Sequence, residues 1–345
     1  MEIVIGLIII AIGAFCQSSC YVPINKVKDW SWETYWLVQG VFAWLVLPLL
    51  GALLAVPAGE SLLGLLAGAP SFNLWMTILF GVLWGIGGLT FGLSMRYLGV
   101  ALGQSIALGT CAGLGTIMGP VLLNIFFPEL NALQSLTFAV LLGVGVTLVG
   151  IAIIGVAGSM KAASLSEEEK KAAVRDFNFP KGLAIALLAG FMSGCFNVGL
   201  EFGKDINFGE LTDPMFRTLP ATLLVTFGGF ITNMLYCFYQ NQVNGTWGDY
   251  KKGSVWANNL VFCLLAGALW YSQFFGLALG KGFLTGSATL TTLSFCILMA
   301  LNVVFSNVWG IILKEWKGCS QKTIAVLICG IIVLVISCFL PQLIG

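Results

Sequence analysis

The sequence contains no histidine, and only 9% of its residues are charged. A chain without histidine lacks the commonest metal ligand and the usual general base and proton relay. It also has no HExxH motif and no pair of aspartates inside an apolar run. We therefore expect a protein that is not an enzyme and that binds no metal or cofactor. A net charge of +1 without a long basic run argues against a nucleic-acid partner.

Hydrophobic residues make up 58% of the chain. Its charged fraction of 9% is well below the value of about 25% in a typical soluble domain. A bilayer offers the backbone no hydrogen-bond partners, so a chain must cross it as helices or as a closed barrel. Continuous apolar runs of about 20 residues predict helices. We therefore expect an all-α membrane protein with ten transmembrane helices, near residues 2–22, 35–55, 72–95, 100–126, 131–156, 181–203, 217–239, 255–279, 284–312 and 322–342.

The ten predicted spans form two sets of five, separated by the most strongly charged stretch of the chain. We predict a first repeat over residues 1–156, a cytoplasmic linker over 157–180 with room for a short amphipathic helix, and a second repeat over 181–345. Five spans per half would make the second repeat inverted in the membrane, as in many transporters. Leu83–Trp84 in span 3, echoed by Leu269–Trp270 in span 8, supports this weakly.

The basic residues predict an orientation, because Lys and Arg near span ends remain in the cytoplasm. Most of them lie in the loops after odd-numbered spans, whereas Lys204, Arg217 and Lys281 do not. We therefore expect the odd-numbered loops in the cytoplasm and both termini outside it. Glu2 precedes the first apolar run and no basic segment does, so we expect a retained span rather than a cleaved signal.

Two tryptophans, Trp84 and Trp270, lie near the middle of their spans, although tryptophan in membranes usually lies at the interface. A flat ring can stack on the C–H face of a sugar while polar groups bind its hydroxyls. Gln273 lies on nearly the same helix face as Trp270. Core packing and helix-to-helix hydrogen bonds are the competing explanations. Uncharged polar residues at membrane depth favour a neutral, hydroxyl-rich ligand, and they include Gln17, Gln104, Asn233 and Asn259.

An ionisable residue inside a span is costly and is a functional candidate for that reason. Glu201, late in span 6, is the one clear example. Its carboxylate would either take up and release a proton with the substrate, or form a local ion pair with Lys204 near the outer interface. The sequence leaves both interpretations open.

Five strings carry a family resemblance: YVPINKVKDWSWETYW at 21–36, LWGIG at 83–87, MRYLG at 95–99, LWYSQFF at 269–275 and LKEW at 313–316. They resemble the L-rhamnose–proton symporter family of the drug/metabolite transporter superfamily. The resemblance implies a five-plus-five inverted-repeat carrier in the bacterial cytoplasmic membrane that imports a deoxy sugar with a proton. The matching positions that it implicates are Lys26 and Lys204 at the two repeat ends, with Trp84, Trp270, Tyr271, Gln273, Asn233 and Asn259.

Two stretches depart from the pattern of that family. Gly88 and Thr90 stand where we expect paired asparagines, and hydroxyl side chains from Thr285 to Thr292 replace an expected histidine and aspartate. An unmet sugar hydroxyl costs about 1 to 3 kcal/mol, so the expected cargo is L-rhamnose or a relative. A metabolite or drug exporter of the same superfamily and a non-transporting sugar sensor are the alternatives.

Overall fold

The computed structural model describes residues 2–98, 100–164, 178–312 and 316–344, which form helices and short turns without a β-strand. Ten helices in this part of the chain are long and apolar enough to cross a membrane, which confirms the predicted all-α class and number of spans. We label them α1 (Glu2–Ser19), α2 (Trp32–Leu53), α3 (Ser71–Leu98), α4 (Val100–Phe126), α5 (Phe138–Ala163), α6 (Phe179–Phe202), α7 (Leu219–Asn244), α8 (Gly253–Phe283), α9 (Ala288–Ile312) and α10 (Gln321–Ile344).

The boundaries of α5 differ most from the prediction. The helix begins at Phe138 rather than near 131, because two short 3-10 turns precede it. Asn131 between those turns has φ 47°, in the left-handed region, which prevents one continuous helix. The Thr137 hydroxyl accepts from Val140 N at 3.3 Å and caps the true start. At its other end α5 extends into the predicted linker, and residues 165–177, where the amphipathic helix was considered, lie outside the described residues.

The chain forms two compact units. The first unit comprises Met1–Gly85 and Phe202–Phe283, and the second comprises Ile86–Glu201 and Leu284–Gly345. The first therefore contains α1, α2, α7, α8 and the first half of α3, and the second contains the other helices with the rest of α3. Each unit draws helices from both predicted halves of the sequence. The inverted repeat and the boundaries of its halves stay predictions.

Close backbone contact joins α1 to α8 in the first unit. A Cβ atom added at Gly13 would lie 2.7 Å from the carbonyl oxygen of Ser272, and one added at Gly280 would lie 2.8 Å from that of Gly6. Contacts at 13 with 272 and at 6 with 280 mean that the two helices run antiparallel. Lipid supplies no hydrophobic drive between helices, so small residues that let backbones approach stabilise such a pair.

Helices α5 and α10 form the corresponding contact of the second unit. A Cβ atom at Gly150 would lie 2.7 Å from the Leu334 side chain, and one at Gly330 would lie 3.0 Å from Ile154 N. Between these glycines and the helix ends, the Thr147 hydroxyl donates to Ser337 Oγ at 3.0 Å. This pair is therefore fixed by close packing and by one buried hydrogen bond.

A polar network fastens the connection between α1 and α2 to the connection between α7 and α8, within the first unit. Asp249 accepts from Ser31 N at 2.7 Å and from Lys252 Nζ at 2.6 Å. Glu33 accepts from the Thr246 hydroxyl at 2.7 Å. Burial alone would raise the pKa of Asp249, but the hydrogen bonds from Lys252 and Ser31 outweigh it and hold that pKa below its ordinary value. The network is thus stabilised by an ionised carboxylate.

Candidate functional site

Three tryptophans from different helices meet inside the first unit. The ring centroids of Trp44 and Trp84 are 6.1 Å apart, those of Trp44 and Trp270 are 5.9 Å apart, and those of Trp84 and Trp270 are 5.6 Å apart. Trp44 meets each of the other two edge-on at 86°, a favourable arrangement of aromatic quadrupoles. We call these residues the tryptophan triad. The structure thus brings together Trp84 and Trp270, which were predicted as a pair, and adds Trp44, which contacts both.

A π-helical segment of α2, Val41–Val46, contains Trp44. Pro48 lies four residues later and has no N–H with which to bond the Trp44 carbonyl, and its ring would clash with that carbonyl in a regular α-helix. The wider π turn accommodates this, and Leu47 N–H bonds to the carbonyl of Phe42, five residues back. Such π turns occur frequently at functional sites. The sequence feature that turns Trp44 out of the regular α-helical register is therefore Pro48.

Three glycines make room for the aromatic rings. A Cβ atom at Gly229 of α7 would overlap the Trp84 ring, one at Gly40 would overlap the Trp44 ring, and one at Gly51 would overlap the Tyr271 hydroxyl. Each of these contacts is closer than any side chain larger than glycine permits. The positions of the rings therefore depend on glycine at these sites.

Helices α2 and α8, which carry Trp44 and Trp270, also contain buried polar atoms that have no partner among the described residues. Trp44 Nε1 and Tyr271 Oη have no hydrogen-bond partner among the described residues, and neither does Gln39 Oε1. These side chains are 3%, 6% and 1% exposed. An unmet buried polar group costs about 1 to 3 kcal/mol, so each one needs an explanation, and a ligand that bonds to it supplies one. The charged side chains of α2 and α8 within the described residues are Glu33 and Lys281, which lie near helix ends.

Asn233, predicted as a substrate ligand, is engaged within the protein. Its Oδ1 accepts from Trp36 Nε1 at 3.0 Å, and its Nδ2 donates to the Gly229 carbonyl at 2.8 Å. Trp36 in turn lies 5.7 Å from Trp44, ring centroid to ring centroid. Asn233 therefore holds an aromatic neighbour of the triad in place, and direct contact with substrate stays a prediction.

Asn259 lies near the start of α8 and holds the chain between α1 and α2. Its Oδ1 accepts from Lys28 N at 3.0 Å and its Nδ2 donates to the Lys28 carbonyl at 2.8 Å. The side chain is fully buried. Both halves of the amide are thus used by the backbone of one residue, and a role in sugar binding, which would compete with these bonds, stays a prediction.

The predicted glutamines fall at different places. Gln273 is buried in α8 where that helix contacts α1, since a Cβ at Gly13 would lie 3.1 Å from Gln273 Cα. Gln17 lies one turn beyond Gly13 in the antiparallel α1, which places it at the level of Trp270. Its Oε1 is buried and has no hydrogen-bond partner within the described residues. Gln104 lies in α4, and its side chain lies outside the described part of the structure.

The three ionisable candidates occupy different surroundings. Glu201, in the last turn of α6, is half-buried and packs on α4, since a Cβ at Gly119 would lie 2.8 Å from Glu201 Cγ. Lys204, just beyond the end of α6, and Lys26, in the turn after α1, are exposed. Glu201 belongs to the second unit, whereas both lysines belong to the first. Their assignment to proton coupling stays a prediction.

Sequence reasoning missed Trp44, and it placed Gln39 only among the uncharged polar residues at membrane depth, without a role in the site. Trp44 lies in an apolar run that resembles any span interior, and the sequence signal for it is Pro48, four residues on. Gln39 lies at the level of Gly267, where a Cβ would be 3.2 Å from the Gln39 carbonyl oxygen. Nothing in its sequence context separates it from the other intramembrane amides.

The chain is similar over nearly its whole length to a known transporter family. The family model described as L-rhamnose-proton symport protein (RhaT) matches residues 1–343. The L-rhamnose-proton symporter of Yersinia pestis (strain Pestoides F) is 32% identical over 348 residues, covering 97% of this chain and 96% of that protein. The L-rhamnose-proton symporter of Yersinia pseudotuberculosis serotype O:1b (strain IP 31758) is similar to the same extent. The chain therefore belongs to the L-rhamnose-proton symport protein (RhaT) family.

Proposed function

We propose that this protein is a secondary active transporter that imports a neutral deoxy sugar, L-rhamnose or a relative, with a proton by alternating access. Membership of a symporter family and the names of its relatives support transport rather than enzymatic catalysis. The observation that carries the proposal in this chain is the tryptophan triad, with the Trp44 N–H and the hydroxyl of Tyr271, the residue after Trp270, both buried without a partner among the described residues. No metal or cofactor takes part in this mechanism.

The chemistry of a deoxy sugar fits this set of groups. Such a sugar has a methyl group and C–H faces that stack on the rings of Trp84 and Trp270, and hydroxyls that need hydrogen-bond partners. In this proposal Trp44 Nε1 donates to a hydroxyl, Gln39 Oε1 accepts from one, and Tyr271 Oη does either. The amides assigned to the same task are Gln17, Gln104 and Gln273, with Asn233 and Asn259 as predicted ligands that also bond within the protein.

We assign the transported proton to Glu201, with Lys204 and Lys26 in supporting roles. The support is that a carboxyl group at membrane depth is costly and is retained where it has a function. Its packing on Gly119 leaves no room there for a larger side chain. The proton would enter on the carboxylate from one side of the membrane and leave to water on the other.

The proposed location is the bacterial cytoplasmic (inner) membrane, with both termini outside the cytoplasm. The support is the distribution of basic residues in the connecting loops. An alkaline phosphatase fused to the C-terminus would be active in the periplasm if this orientation is right. If the fusion is inactive although the carrier still transports, the C-terminus lies in the cytoplasm and the proposed orientation is wrong.

Uptake into proteoliposomes tests the transport proposal. The purified protein is reconstituted, an inward proton gradient is imposed, and labelled L-rhamnose is followed with a competition panel of deoxy and hydroxylated sugars. We expect accumulation above the external concentration that collapses when a protonophore is added. Absence of gradient-dependent accumulation of every deoxy sugar would overturn symport, efflux from intact cells would favour an exporter, and sugar binding without flux would indicate a sensor.

Variants of the triad connect that activity to the site. Replacing Trp84 or Trp270 with alanine should weaken sugar affinity at least tenfold, because stacking on an aromatic ring is lost. Trp75→Ala is the matched control, since Trp75 lies on α3 at 65% exposure. Equal effects of all three substitutions would show that the triad serves packing rather than sugar binding.

A further inference from the structure

Helices α4 and α6 touch along a line of small residues in the second unit. A Cβ at Gly190 would lie 2.5 Å from the Ala107 carbonyl oxygen, and one at Gly194 would lie 3.0 Å from Gly115 N. The backbones are therefore in direct contact over more than one turn. A polar side chain further along this line therefore meets the backbone of the neighbouring helix at close range.

Asn197 occupies that position and is only half satisfied. It is 3% exposed, and its Nδ2 donates to the Gly115 carbonyl at 2.8 Å. Its Oδ1 is buried and has no hydrogen-bond partner among the described residues. The bond from Nδ2 fixes which way the amide faces, so the oxygen cannot exchange places with the nitrogen without breaking it. A carbonyl oxygen can only accept, and the group that would complete it must bring a hydrogen.

Glu201 lies one helical turn beyond Asn197, and Gly119 lies one turn beyond Gly115. Residues four apart on a helix are neighbours on its surface, so the two side chains share a face. The packing of Glu201 Cγ on Gly119, opposite the bond from Asn197 to Gly115, confirms that both face α4. An ionised carboxylate has no hydrogen to give, whereas a carboxylic acid has one O–H. Of the two forms of Glu201, only the protonated one can therefore donate a hydrogen bond to the Asn197 oxygen.

Few other titratable or charged groups lie near Glu201 on the neighbouring helices. Helices α4 and α9 carry no charged side chain over Val100–Phe126 and Ala288–Ile312. The remaining titratable or charged groups on the neighbouring helices, and just beyond α6, are Cys111 on α4, Cys296 on α9, Arg96 and Tyr97 on α3, and the exposed Lys204 and Asp205. Cys111 is two turns from Gly119, and Tyr97 contacts Gly182 near the opposite end of α6.

We propose that Asn197 is a positioning residue for the transported proton, and that the O–H of protonated Glu201 donates to Asn197 Oδ1. The inference rests on the proposed proton symport through Glu201 and adds the group that holds the proton there. No covalent bond changes in Asn197: the proton binds the carboxylate from water, the hydrogen bond forms, and both are lost when the proton leaves. Because the bond exists only in the protonated form, it favours proton uptake and tightens the contact of α6 with α4.

The pH dependence of transport tests this proposal in the full-length, reconstituted protein. Asn197→Leu and Asn197→Ala both remove the acceptor, so the protonated form loses its bond and the apparent protonation midpoint of uptake should fall by about one pH unit. Asn197→Gln retains an amide oxygen and should restore part of the shift. Thr147→Val removes a buried helix-to-helix hydrogen bond of the same unit and is the matched control, with an unchanged midpoint expected.

Infrared difference spectroscopy supplies a second readout. The C=O stretch of protonated Glu201, identified by its loss in Glu201→Gln, should move to higher frequency in Asn197→Leu and Asn197→Ala, because its O–H loses its acceptor. Sugar exchange without a gradient reports folding, and Asn197→Ala supplies the measurement if the leucine variant does not fold. Unchanged midpoint and C=O frequency in a folded variant would overturn the role of Asn197 alone. Unchanged uphill uptake by Glu201→Gln would instead overturn the proton assignment on which it rests.

Discussion

The tryptophan triad and the contact of α4 with α6 differ in the atom that each leaves unmatched. At the triad, large rings lie over glycines, and Trp44 Nε1 is a buried donor for which the described residues supply no acceptor. Between α4 and α6, small residues pack closely, and Asn197 Oδ1 is a buried acceptor that receives no hydrogen bond within the described part of the chain. The Trp44 N–H can only donate and so fits the oxygen of a sugar hydroxyl, whereas the Asn197 oxygen can only accept and fits the O–H of a carboxylic acid. In the proposed mechanism, the triad would bind the sugar and the contact of α4 with α6 would hold the proton.

The largest expected effect is that of Glu201→Gln. Glutamine preserves the shape of the side chain but carries no titratable proton, so uphill uptake should be abolished while sugar exchange continues. Uptake with and without the proton gradient, and counterflow of labelled sugar, measure the two activities separately. Glu210→Gln changes an exposed glutamate and should leave both intact. Loss of exchange together with uphill uptake would break the separation of sugar and proton sites.

A smaller effect is expected from Gly229→Ala. The new methyl group would overlap the Trp84 ring and displace it, so sugar affinity should fall by about tenfold. Gly145→Ala is the control, because a Cβ there meets nothing within 4 Å. Competition binding of unlabelled sugar measures both variants. Equal affinities would show that the position of Trp84 does not matter for the sugar.

Trp44→Phe tests the contribution of the single N–H group of the triad that is proposed to bind the sugar. Phenylalanine keeps an aromatic ring in the triad and removes the N–H, so affinity should fall roughly two- to tenfold, as for the loss of one hydrogen bond. The loss should shrink for a sugar analogue that lacks the partner hydroxyl, which identifies that hydroxyl. Trp75→Phe should have no effect, and an equal loss for every analogue would assign Trp44 to packing.

The smallest effect concerns Asp249 in the polar network of the first unit. Its pKa in the folded protein is lowered, so its stabilising contribution is complete above its ordinary pKa of 3.8 and is lost as pH falls through the folded value. Asp249→Asn should lower the melting temperature by about 2 to 4 °C at neutral pH. The difference from wild type should shrink below about pH 4. Asp205→Asn, at an exposed site, is the control, and a difference independent of pH would refute the ionic contribution.

Hydropathy predicted the helices well because a run of about 20 apolar residues has few alternatives in a bilayer. It failed at the start of α5, where Leu130 and Leu133 are apolar but belong to 3-10 turns around Asn131. Local backbone conformation decides such an end, and average hydropathy does not record it.

The site was only partly predictable. Trp84 and Trp270 could be found because tryptophan in mid-span is unusual. The hydrogen-bond partners of the amides could not be predicted, because they come from distant parts of the chain. Asn259 bonds Lys28, and Asn233 bonds Trp36. Residue type at membrane depth therefore indicates a polar role, but only the fold distinguishes a ligand from a structural hydrogen bond.

The π turn of α2 also predicts the effect of deleting one codon from the gene. It holds one residue more than a regular turn, so it is equivalent to a single inserted codon between those for Gly40 and Leu47. A π turn takes up that extra residue locally, so removing one codon there would leave a continuous α-helix whose two ends keep nearly the same relative orientation. We expect Trp36 and Gly51 to keep their contacts with Asn233 and Tyr271. The change would fall on Trp44, whose position in the triad depends on the extra residue.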